Sequence, residues 1–148
     1  SNMGYNLKPL DLQGSVGSVQ LLKFEEIHDL RRSNKEKIQK IVEKVEGVRV
    51  VEEKPQAETS WFGVPIVCDT PKLKHSLVQH LEKNKIQTRN YFAGNILLHG
   101  GYSHLDDASK YPNANQVLDK VFFLGCSPTI NIDMISYIEN IITSFIND

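Results

Sequence analysis

The order of four short strand-like segments among amphipathic helical segments is the sequence feature that most limits which folds this chain can adopt. Apolar residues alternate or run continuously at residues 48–53, 59–69, 86–92 and 121–125. Few strand–helix–strand repeats are visible in this order, so the pattern predicts a small, mostly antiparallel sheet flanked by helices, an α+β fold. Pro65 lacks the N–H that a strand ladder needs, which predicts an edge or a bulge for the second strand.

Helical segments surround these strands, and the first of them has an unusual surface. It follows Pro9, which suits a first helical turn, and begins near Asp11, which suits the positive end of the helix dipole. Beside its apolar face lies a surface of small residues: Gly14, Ser15, Gly17 and Ser18. Each glycine costs a helix about 1 kcal/mol relative to alanine, so we expect another element, in this chain or another, to approach that surface closely.

The later helices have clearer apolar stripes. The second covers about residues 24–45 and stops near Gly47, and its basic stretch 31–40, "RRSNKEKIQK", is expected to face solvent. A third ends near Asn84, a short fourth covers 115–120, and the last has a stripe from Ile135 to Phe145. The residues expected to face inward from the second helix and the second strand are Ile27, Leu30, Ile38, Ile41, Val42, Val45, Phe62, Val64, Ile66 and Cys68.

The connection 93–112 is long and has little periodicity, which is typical of functional or disordered loops. It contains His99, His104, Asp106 and Asp107, but their spacing lacks a recognised ligand geometry, so we predict no metal site. The chain also lacks a G-x-S-x-G elbow, a P-loop and a dinucleotide-binding turn. The residues alone therefore predict an α+β domain with a binding loop and no self-sufficient catalytic set.

Charge and composition narrow the expected partners. The formal net charge is −1, from 17 basic and 18 acidic side chains, so no overall field attracts nucleic acid or an anionic membrane, and neither partner is expected. The apolar runs are shorter than the ~20 residues of a membrane-spanning helix. Cys68 and Cys126 are expected to be buried free thiols, which favours a cytoplasmic location. Residues 1–3 resemble a tag remnant.

Three segments together resemble a known enzyme family. Residues 4–21, "GYNLKPLDLQGSVGSVQL", resemble the Gly-Tyr-Asn segment of the DegT/DnrJ/EryC1/StrS sugar aminotransferases. "SWFGVPI" at 60–66 and "TRNYFAGN" at 88–95 resemble its dehydratase branch, the nucleotide-4-keto-6-deoxyhexose 3-dehydratases of lipopolysaccharide synthesis. The resemblance implies that residues 4–148 form the C-terminal small domain of a fold type I pyridoxal-phosphate-dependent enzyme, whose large domain is absent from this chain.

The resemblance implies a function as well as a fold. The parent enzyme would remove the C3 hydroxyl of a CDP- or GDP-linked 4-keto-6-deoxyhexose in O-antigen synthesis. It would act as a homodimer with pyridoxal phosphate or pyridoxamine phosphate as its cofactor. An aminotransferase of the same family is the nearest alternative and differs by a lysine in place of a histidine at an upstream position. A noncatalytic binding or dimerisation module is a further alternative, in which the small-residue surface would be exposed or self-paired.

Four residues take roles from this resemblance. Asn6, in the Gly-Tyr-Asn segment, is implied to reach the cofactor phosphate bound by the other subunit. Arg89 is implied to bind a phosphate or carboxylate of the substrate, and Phe92 to wall the sugar site. Asn95 is implied to bond a sugar hydroxyl or to orient the loop. After Asn95, the stretch "ILLHGG" departs from the basic, polar and proline run common in this branch.

The resemblance leads to a prediction about the cofactor. The Schiff-base residue and the groups that hold the cofactor ring lie upstream in the family, so this chain alone should neither bind pyridoxal phosphate tightly nor turn over substrate. Purified chain that is incubated with the cofactor and then desalted should show no cofactor absorbance band. A stable band that stays with the chain would contradict the expectation.

Overall fold

The computed structural model describes residues 10–147, which follow the predicted order of elements. The helices and strands are α1 (Asp11–Leu21), α2 (Phe24–Val42), β1 (Val48–Val50), β2 (Gly63–Cys68), α3 (Pro71–Lys83), β3 (Thr88–Asn90), α4 (Pro112–Lys120), β4 (Val121–Gly125) and α5 (Ile132–Asn147). Two single 3₁₀ turns, Ile96–Leu98 and Ala108–Lys110, lie in the long connection before α4. Within the described part of the chain, no helix combines the length and the apolar character needed to cross a bilayer.

The four strands form one sheet in the order β1-β2-β4-β3, and every neighbouring pair is antiparallel. One row across the sheet joins Val50, Ile66, Phe122 and Asn90. Since side chains alternate along each strand, this register places the even-numbered residues of all four strands on one face. The predicted α+β fold with a small antiparallel sheet is therefore confirmed.

The even-numbered face of the sheet is the core face. Helices α2 and α3 pack on it, and α5 lies against both helices. Ile38 and Val42, one turn apart on α2, and Leu77 and Leu81, one turn apart on α3, have no exposed surface. Burying each such side chain stabilises the fold by roughly 1.5–3 kcal/mol. The C-terminal part of the predicted apolar stripe of α2 thus forms the core, whereas Ile27 is half-buried and Leu30 is 39% exposed.

Pro65 lies in an inner strand, so the prediction of an edge or a bulge is wrong. β2 pairs with β1 on one side and with β4 on the other. The Pro65 carbonyl accepts a hydrogen bond of 3.0 Å from Val51 N, just beyond the end of β1 at Val50. In an antiparallel strand the backbone N and C=O of one residue point to the same side. The Pro65 nitrogen, which has no hydrogen to donate, therefore faces the end of the β1 ladder, and the hydrogen bonds between β2 and β4 are unaffected.

The prediction that the basic stretch 31–40 of α2 faces solvent is only partly right, because Glu36, Lys37 and Lys40 are exposed but other residues of the stretch are covered. Asn34 and Lys35 are only 3% and 7% exposed. Asn34 Nδ2 donates a hydrogen bond of 2.9 Å to the Ser127 carbonyl, which ties α2 to the turn before α5. The covered residues were not predicted because two segments distant in sequence, the connection between β1 and β2 and the turn before α5, fold against this side of α2.

Helix α1 forms as predicted but buries none of its residues. Leu12, in its apolar face, is 74% exposed. A Cβ atom built on Gly14 or Gly17 would meet nothing within 4 Å. The close neighbour that the small-residue surface predicts is therefore not found among residues 10–147.

A close approach between β2 and β4 makes Gly63 sensitive to substitution. A Cβ added there would lie 2.5 Å from a ring carbon of Phe123 and 2.8 Å from the Leu124 carbonyl oxygen. We expect Gly63→Ala to lower the free energy of unfolding by about 1–3 kcal/mol, as overpacking does in other cores. Gly125, directly across from Gly63, would meet nothing within 4 Å, so Gly125→Ala is the matched control. Urea unfolding of both variants measures the difference, and equal stabilities would contradict the prediction.

Candidate functional site

The odd-numbered strand residues form the outer face of the sheet, opposite the core. The register places Arg89 across from Phe123, and Phe123 across from Pro65. In the neighbouring row, Arg49 lies across from Val67. The outer face therefore carries two arginines beside apolar and aromatic side chains, and it contains the predicted site residue Arg89.

Phe62, Tyr91, Phe92 and Phe123 form an aromatic cluster on this outer face. The Phe123 ring is central, and its centroid lies 5.7 Å from that of Phe62, 6.3 Å from Tyr91 and 6.0 Å from Phe92. Phe62 and Phe92 are nevertheless 68% and 70% exposed, and the cluster borders a cleft of about 280 Å³. Exposed rings gathered around one cleft are typical of a binding surface.

The prediction that Phe62 lies on the core face with Val64 is wrong. The strand begins only at Gly63, and Phe62 turns to the outer face and packs against Phe123. Tyr91 and Phe123 were not predicted as site residues. The alternation within "VFFLG" could have indicated Phe123, because Phe122 and Phe123 must point to opposite faces of a strand.

The Phe92 backbone is held in the left-handed region, with φ +52°. This conformation costs a residue with a side chain roughly 1 kcal/mol or more. A 2.7 Å hydrogen bond from Phe92 N to the Asn90 carbonyl holds it in place. Two residues later, Gly94 has φ +60°, and a Cβ added there would lie 2.6 Å from Leu118 Cβ. The segment thus packs closely on α4 and presents the Phe92 ring to solvent.

Asn95 is buried beneath this segment, with 3% of its surface exposed. Its Nδ2 donates to the Ala108 carbonyl at 3.1 Å and to Asn115 Oδ1 at 2.8 Å, and its Oδ1 accepts from Leu97 N at 3.0 Å. Both the nitrogen and the oxygen of the Asn95 side-chain amide thus form hydrogen bonds within the protein. Contact with substrate stays a prediction for Asn95, and this geometry supports its other predicted role, orienting the loop.

Arg89 is exposed on β3 and forms no hydrogen bond or ion pair with the residues that the structure describes. It lies across from Phe123, at the border of the aromatic cluster. A guanidinium group in this position can bind a phosphate or carboxylate through two parallel hydrogen bonds. Phe92 lines the aromatic-cluster cleft, and Arg89 lies across from Phe123 at its border. The structure therefore places these two predicted residues on the same face of the sheet, with Asn95 beneath the segment that carries Phe92.

A polar clamp, formed by Arg32 and Glu53, holds the connection before β2. Arg32 donates to both carboxylate oxygens of Glu53, at 3.0 and 2.9 Å, and to the Thr59 carbonyl at 3.1 Å. Glu53 also accepts a hydrogen bond from Thr59 N. The bonds from Arg32 and Thr59 lower the pKa of Glu53 from its usual value to about 2.

The basic side of α2 also positions Trp61, the residue before Phe62. Arg31 donates to the Trp61 carbonyl at 2.8 Å, and the Cys126 thiol donates to the same oxygen at 3.1 Å. Lys35 Nζ lies 4.9 Å from the centre of the Trp61 ring, a cation–π contact. These contacts were missed by the sequence analysis, because they join α2 to residues far along the chain.

The carboxylates of the long loop are engaged in local hydrogen bonds. Asp106 accepts from Lys110 Nζ at 2.6 Å and from the Tyr111 hydroxyl at 2.9 Å, and these contacts hold its pKa below the usual value. Asp107 accepts from Ser109 N and Oγ, which also lowers its pKa. Nowhere among residues 10–147 do three His, Cys, Asp or Glu side chains converge as a metal site requires.

Two further predictions concern residues away from the outer face. Cys68 and Cys126 are buried free thiols, as predicted, and burial raises the pKa of the Cys68 thiol to about 11. Neither thiol is therefore activated as a nucleophile. Asn6, the residue predicted to reach the cofactor phosphate, lies outside the described residues.

The chain has a small α+β fold that is similar to part of aminotransferase-fold enzymes. The aminotransferase PseC of Helicobacter pylori superposes with a TM-score of 0.84 over 99% of this chain and 40% of its own, at 16% identity, which shows the fold alone. The GDP-4-keto-6-deoxy-D-mannose-3-dehydratase of E. coli, solved with bound hydrated PLP, superposes with a TM-score of 0.74 and 26% identity. That match covers 94% of this chain and 36% of the dehydratase chain.

The family follows from the sequence comparison. The profile of the DegT/DnrJ/EryC1/StrS aminotransferase family matches residues 1–143, so the chain belongs to this family. A dTDP-4-dehydro-2,6-dideoxy-D-glucose 3-dehydratase of Saccharopolyspora spinosa is 32% identical over 99% of this chain and 32% of its own length. The lipopolysaccharide biosynthesis protein RfbH of Salmonella typhimurium is 30% identical over 93% of this chain and 33% of its own. The chain thus spans about a third of the length of these relatives.

The residues of the outer face do not by themselves fit the pyridoxal phosphate that this family implies. A site for the cofactor ring needs a Schiff-base lysine, or the histidine that replaces it, and a carboxylate or another partner for the pyridine nitrogen. The aromatic-cluster cleft is lined by no lysine, aspartate or glutamate. The described residues of this cleft therefore do not form a site for the cofactor ring by themselves.

The lowered pKa of Glu53 predicts how the clamp contributes to stability at different pH values. Its ionised form stabilises the fold fully above the usual pKa of 4.5, and this contribution is lost as the pH falls toward about 2. We expect Glu53→Gln to be less stable than wild type at pH 7, with a difference that shrinks between pH 4.5 and about 2. Urea unfolding across this range measures it, with the exposed neighbour variant Glu52→Gln as the control. A difference that is independent of pH would contradict the role of the ionised pair.

Proposed function

We propose that residues 4–148 are the C-terminal small domain of a pyridoxal-phosphate-dependent 3-dehydratase. The substrate would be a nucleotide-linked 4-keto-6-deoxyhexose of lipopolysaccharide synthesis. The observation that carries this proposal is the aromatic cluster, which joins rings from both dehydratase-like segments, "SWFGVPI" and "TRNYFAGN", in one exposed cleft beside Arg89. Relatives named as 3-dehydratases support it.

The outer face would serve as one wall of the substrate pocket. Phe62 and Phe92 present apolar ring surface, which suits the C–H groups and the 6-methyl group of a deoxysugar. Arg89 has an exposed guanidinium without a partner in residues 10–147, which suits a phosphate of the nucleotide. Asn95 would act as a positioning residue, since it holds the segment that carries Phe92.

The remaining parts of the site would come from the large domain and from a second subunit. The cofactor supplies the electron-withdrawing chemistry when it is bound, and in this proposal the large domain holds it. Asn6 would add an amide donor to the cofactor phosphate of the partner subunit in a homodimer. The exposed apolar face of α1 is compatible with such a shared assembly, because exposed apolar surface of this kind usually marks an interface.

An aminotransferase of the same family is the second candidate, because the family model that matches residues 1–143 is that of an aminotransferase family. The outer face does not separate the two reactions, because both would bind a keto sugar linked to a nucleotide. In the full-length protein, histidine at the Schiff-base position would identify the dehydratase, and lysine the aminotransferase.

The proposal predicts that nucleotide-linked sugars bind to the outer face. In titrations of ¹⁵N-labelled chain with a GDP- or dTDP-linked 6-deoxyhexose, amide shifts should concentrate at residues 60–66 and 88–95. Arg89→Ala should weaken binding tenfold or more, since hydrogen bonds to a charged group contribute roughly 1.5–3 kcal/mol. Phe92→Ala should weaken it as well, whereas Tyr102→Ala, an exposed aromatic outside the aromatic-cluster cleft, should not.

Binding at another face, or binding unaffected by Arg89→Ala and Phe92→Ala, would contradict the proposed function. Trp61, the single tryptophan of the chain, gives an independent fluorescence signal from the same cleft. The amide spectrum of each variant shows directly whether it is folded.

A further inference from the structure

The left-handed backbone at Phe92 needs support from outside the aromatic-cluster cleft. A residue with a side chain keeps such a φ, here +52°, only where its surroundings hold it there. The Phe92 ring supplies little of that support, because the residue is 70% exposed. The segment 91–95 must therefore be held through its backbone and through the residues on which that backbone rests.

One such support is His99, in the long loop that follows the segment. His99 Nε2 lies 3.1 Å from the carbonyl oxygen of Ala93, the residue after Phe92. A carbonyl only accepts hydrogen bonds, so Nε2 carries the proton in this contact and donates it. The His99 carbonyl accepts from Tyr102 N at 2.9 Å and from Ser103 N at 3.1 Å, which fixes the turn that bears the imidazole. His99 thus holds the segment from the loop.

The second support is Lys74 on α3, which acts through α4. Lys74 Nζ donates a hydrogen bond of 2.6 Å to the Leu118 carbonyl. Leu118 lies in the last turn of α4, where carbonyls lack a partner within the helix and a cation is favoured by the helix dipole. Gly94 packs on the same residue, since a Cβ built there would lie 2.6 Å from Leu118 Cβ and 3.1 Å from its Cα. Lys74 thus holds the part of α4 on which the segment rests.

These two contacts meet the segment at different points. His99 bonds to it directly at Ala93, whereas Lys74 reaches it at Gly94 through Leu118. Neither His99 nor Lys74 lines the aromatic-cluster cleft. An effect of either side chain on a ligand in that cleft must therefore pass through the segment that carries Phe92.

We propose that His99 and Lys74 are positioning residues of the proposed substrate pocket, which fix the Phe92 ring without touching the substrate. This inference rests on the proposed function and deepens it. Each of the two hydrogen bonds limits how far the left-handed backbone can relax. When one bond is removed, the backbone leaves this conformation more often, and the ring departs from its place beside Phe123, where the two centroids are 6.0 Å apart.

The first measurement needs no ligand and uses the 148-residue chain. The Phe92 amide donates to the Asn90 carbonyl, so its hydrogen exchange reports how often the segment opens. His99→Ala and Lys74→Met should each speed this exchange about fivefold, as the loss of one hydrogen bond does. His99→Gln and Lys74→Arg restore a donor and should recover part of the protection.

Matched controls come from the same loop and the same helix. His104→Ala removes an exposed histidine of the loop, and Lys72→Met removes an exposed lysine of α3. Both should leave the Phe92 exchange rate unchanged. Faster exchange at the buried Phe122 amide of β4, without a change at Phe92, would show a general effect on stability and would overturn the inference.

The second measurement is a double-mutant cycle for the binding of a GDP- or dTDP-linked 6-deoxyhexose. His99→Ala and Lys74→Met should each weaken binding about fivefold when Phe92 is present. Both should have no further effect once Phe92→Ala has been introduced. Equal weakening in the two backgrounds would show that neither residue acts through Phe92, which contradicts the inference. The amide spectrum of each variant shows that it is folded.

The two measurements separate this inference from the proposed function. If the nucleotide-linked sugar binds at the outer face through Phe92, but neither Phe92 exchange nor binding responds to His99 and Lys74, the inference is wrong and the proposed function stands. If the sugar binds away from the outer face, the proposed function fails. The roles of His99 and Lys74 in substrate binding then fail with it, even where exchange at Phe92 responds.

Discussion

The antiparallel register between β2 and β4 is the constraint on which the rest of the structure depends. It pairs Ile66 with Phe122 on the core face and Pro65 with Phe123 on the outer face. A slip of one residue would exchange the two faces, because side chains alternate along each strand. On one side the register provides the apolar surface that α2 and α3 cover. On the other it places Phe123 where rings from two separate connections can reach it.

Polar contacts then hold those two connections against the sheet. Arg32 and Glu53 order the connection before β2, and Asn95 orders the segment after β3. Water competes less with hydrogen bonds of buried and half-buried groups than with those at the surface. Two connections without regular structure thereby present their aromatic rings in a defined arrangement. This is the preorganisation that a binding face needs, and the proposed wall of the substrate pocket depends on it.

Local patterns predicted most of the fold, and they failed where a residue's surroundings come from distant parts of the chain. Helices and strands were located correctly because their periodicity reports the face that must be buried, as at Ile38 and Val64. The prediction of an edge strand at Pro65 was wrong because the composition of one strand does not show how many strands flank it. The burial of Asn34 and Lys35 was missed because the basic stretch of α2 is covered by a connection that lies well beyond the helix.

The sequence by itself determined the types and order of the elements, the family, and the segment that carries Arg89 and Phe92, since each of these follows from residues close together in the chain. Only the tertiary structure decided that Phe62 and Phe92 both pack against Phe123, and that the amide of Asn95 is buried. The physical reason is that these contacts depend on strand order and register. Both are set by the packing of the whole sheet against its helices and by no single segment.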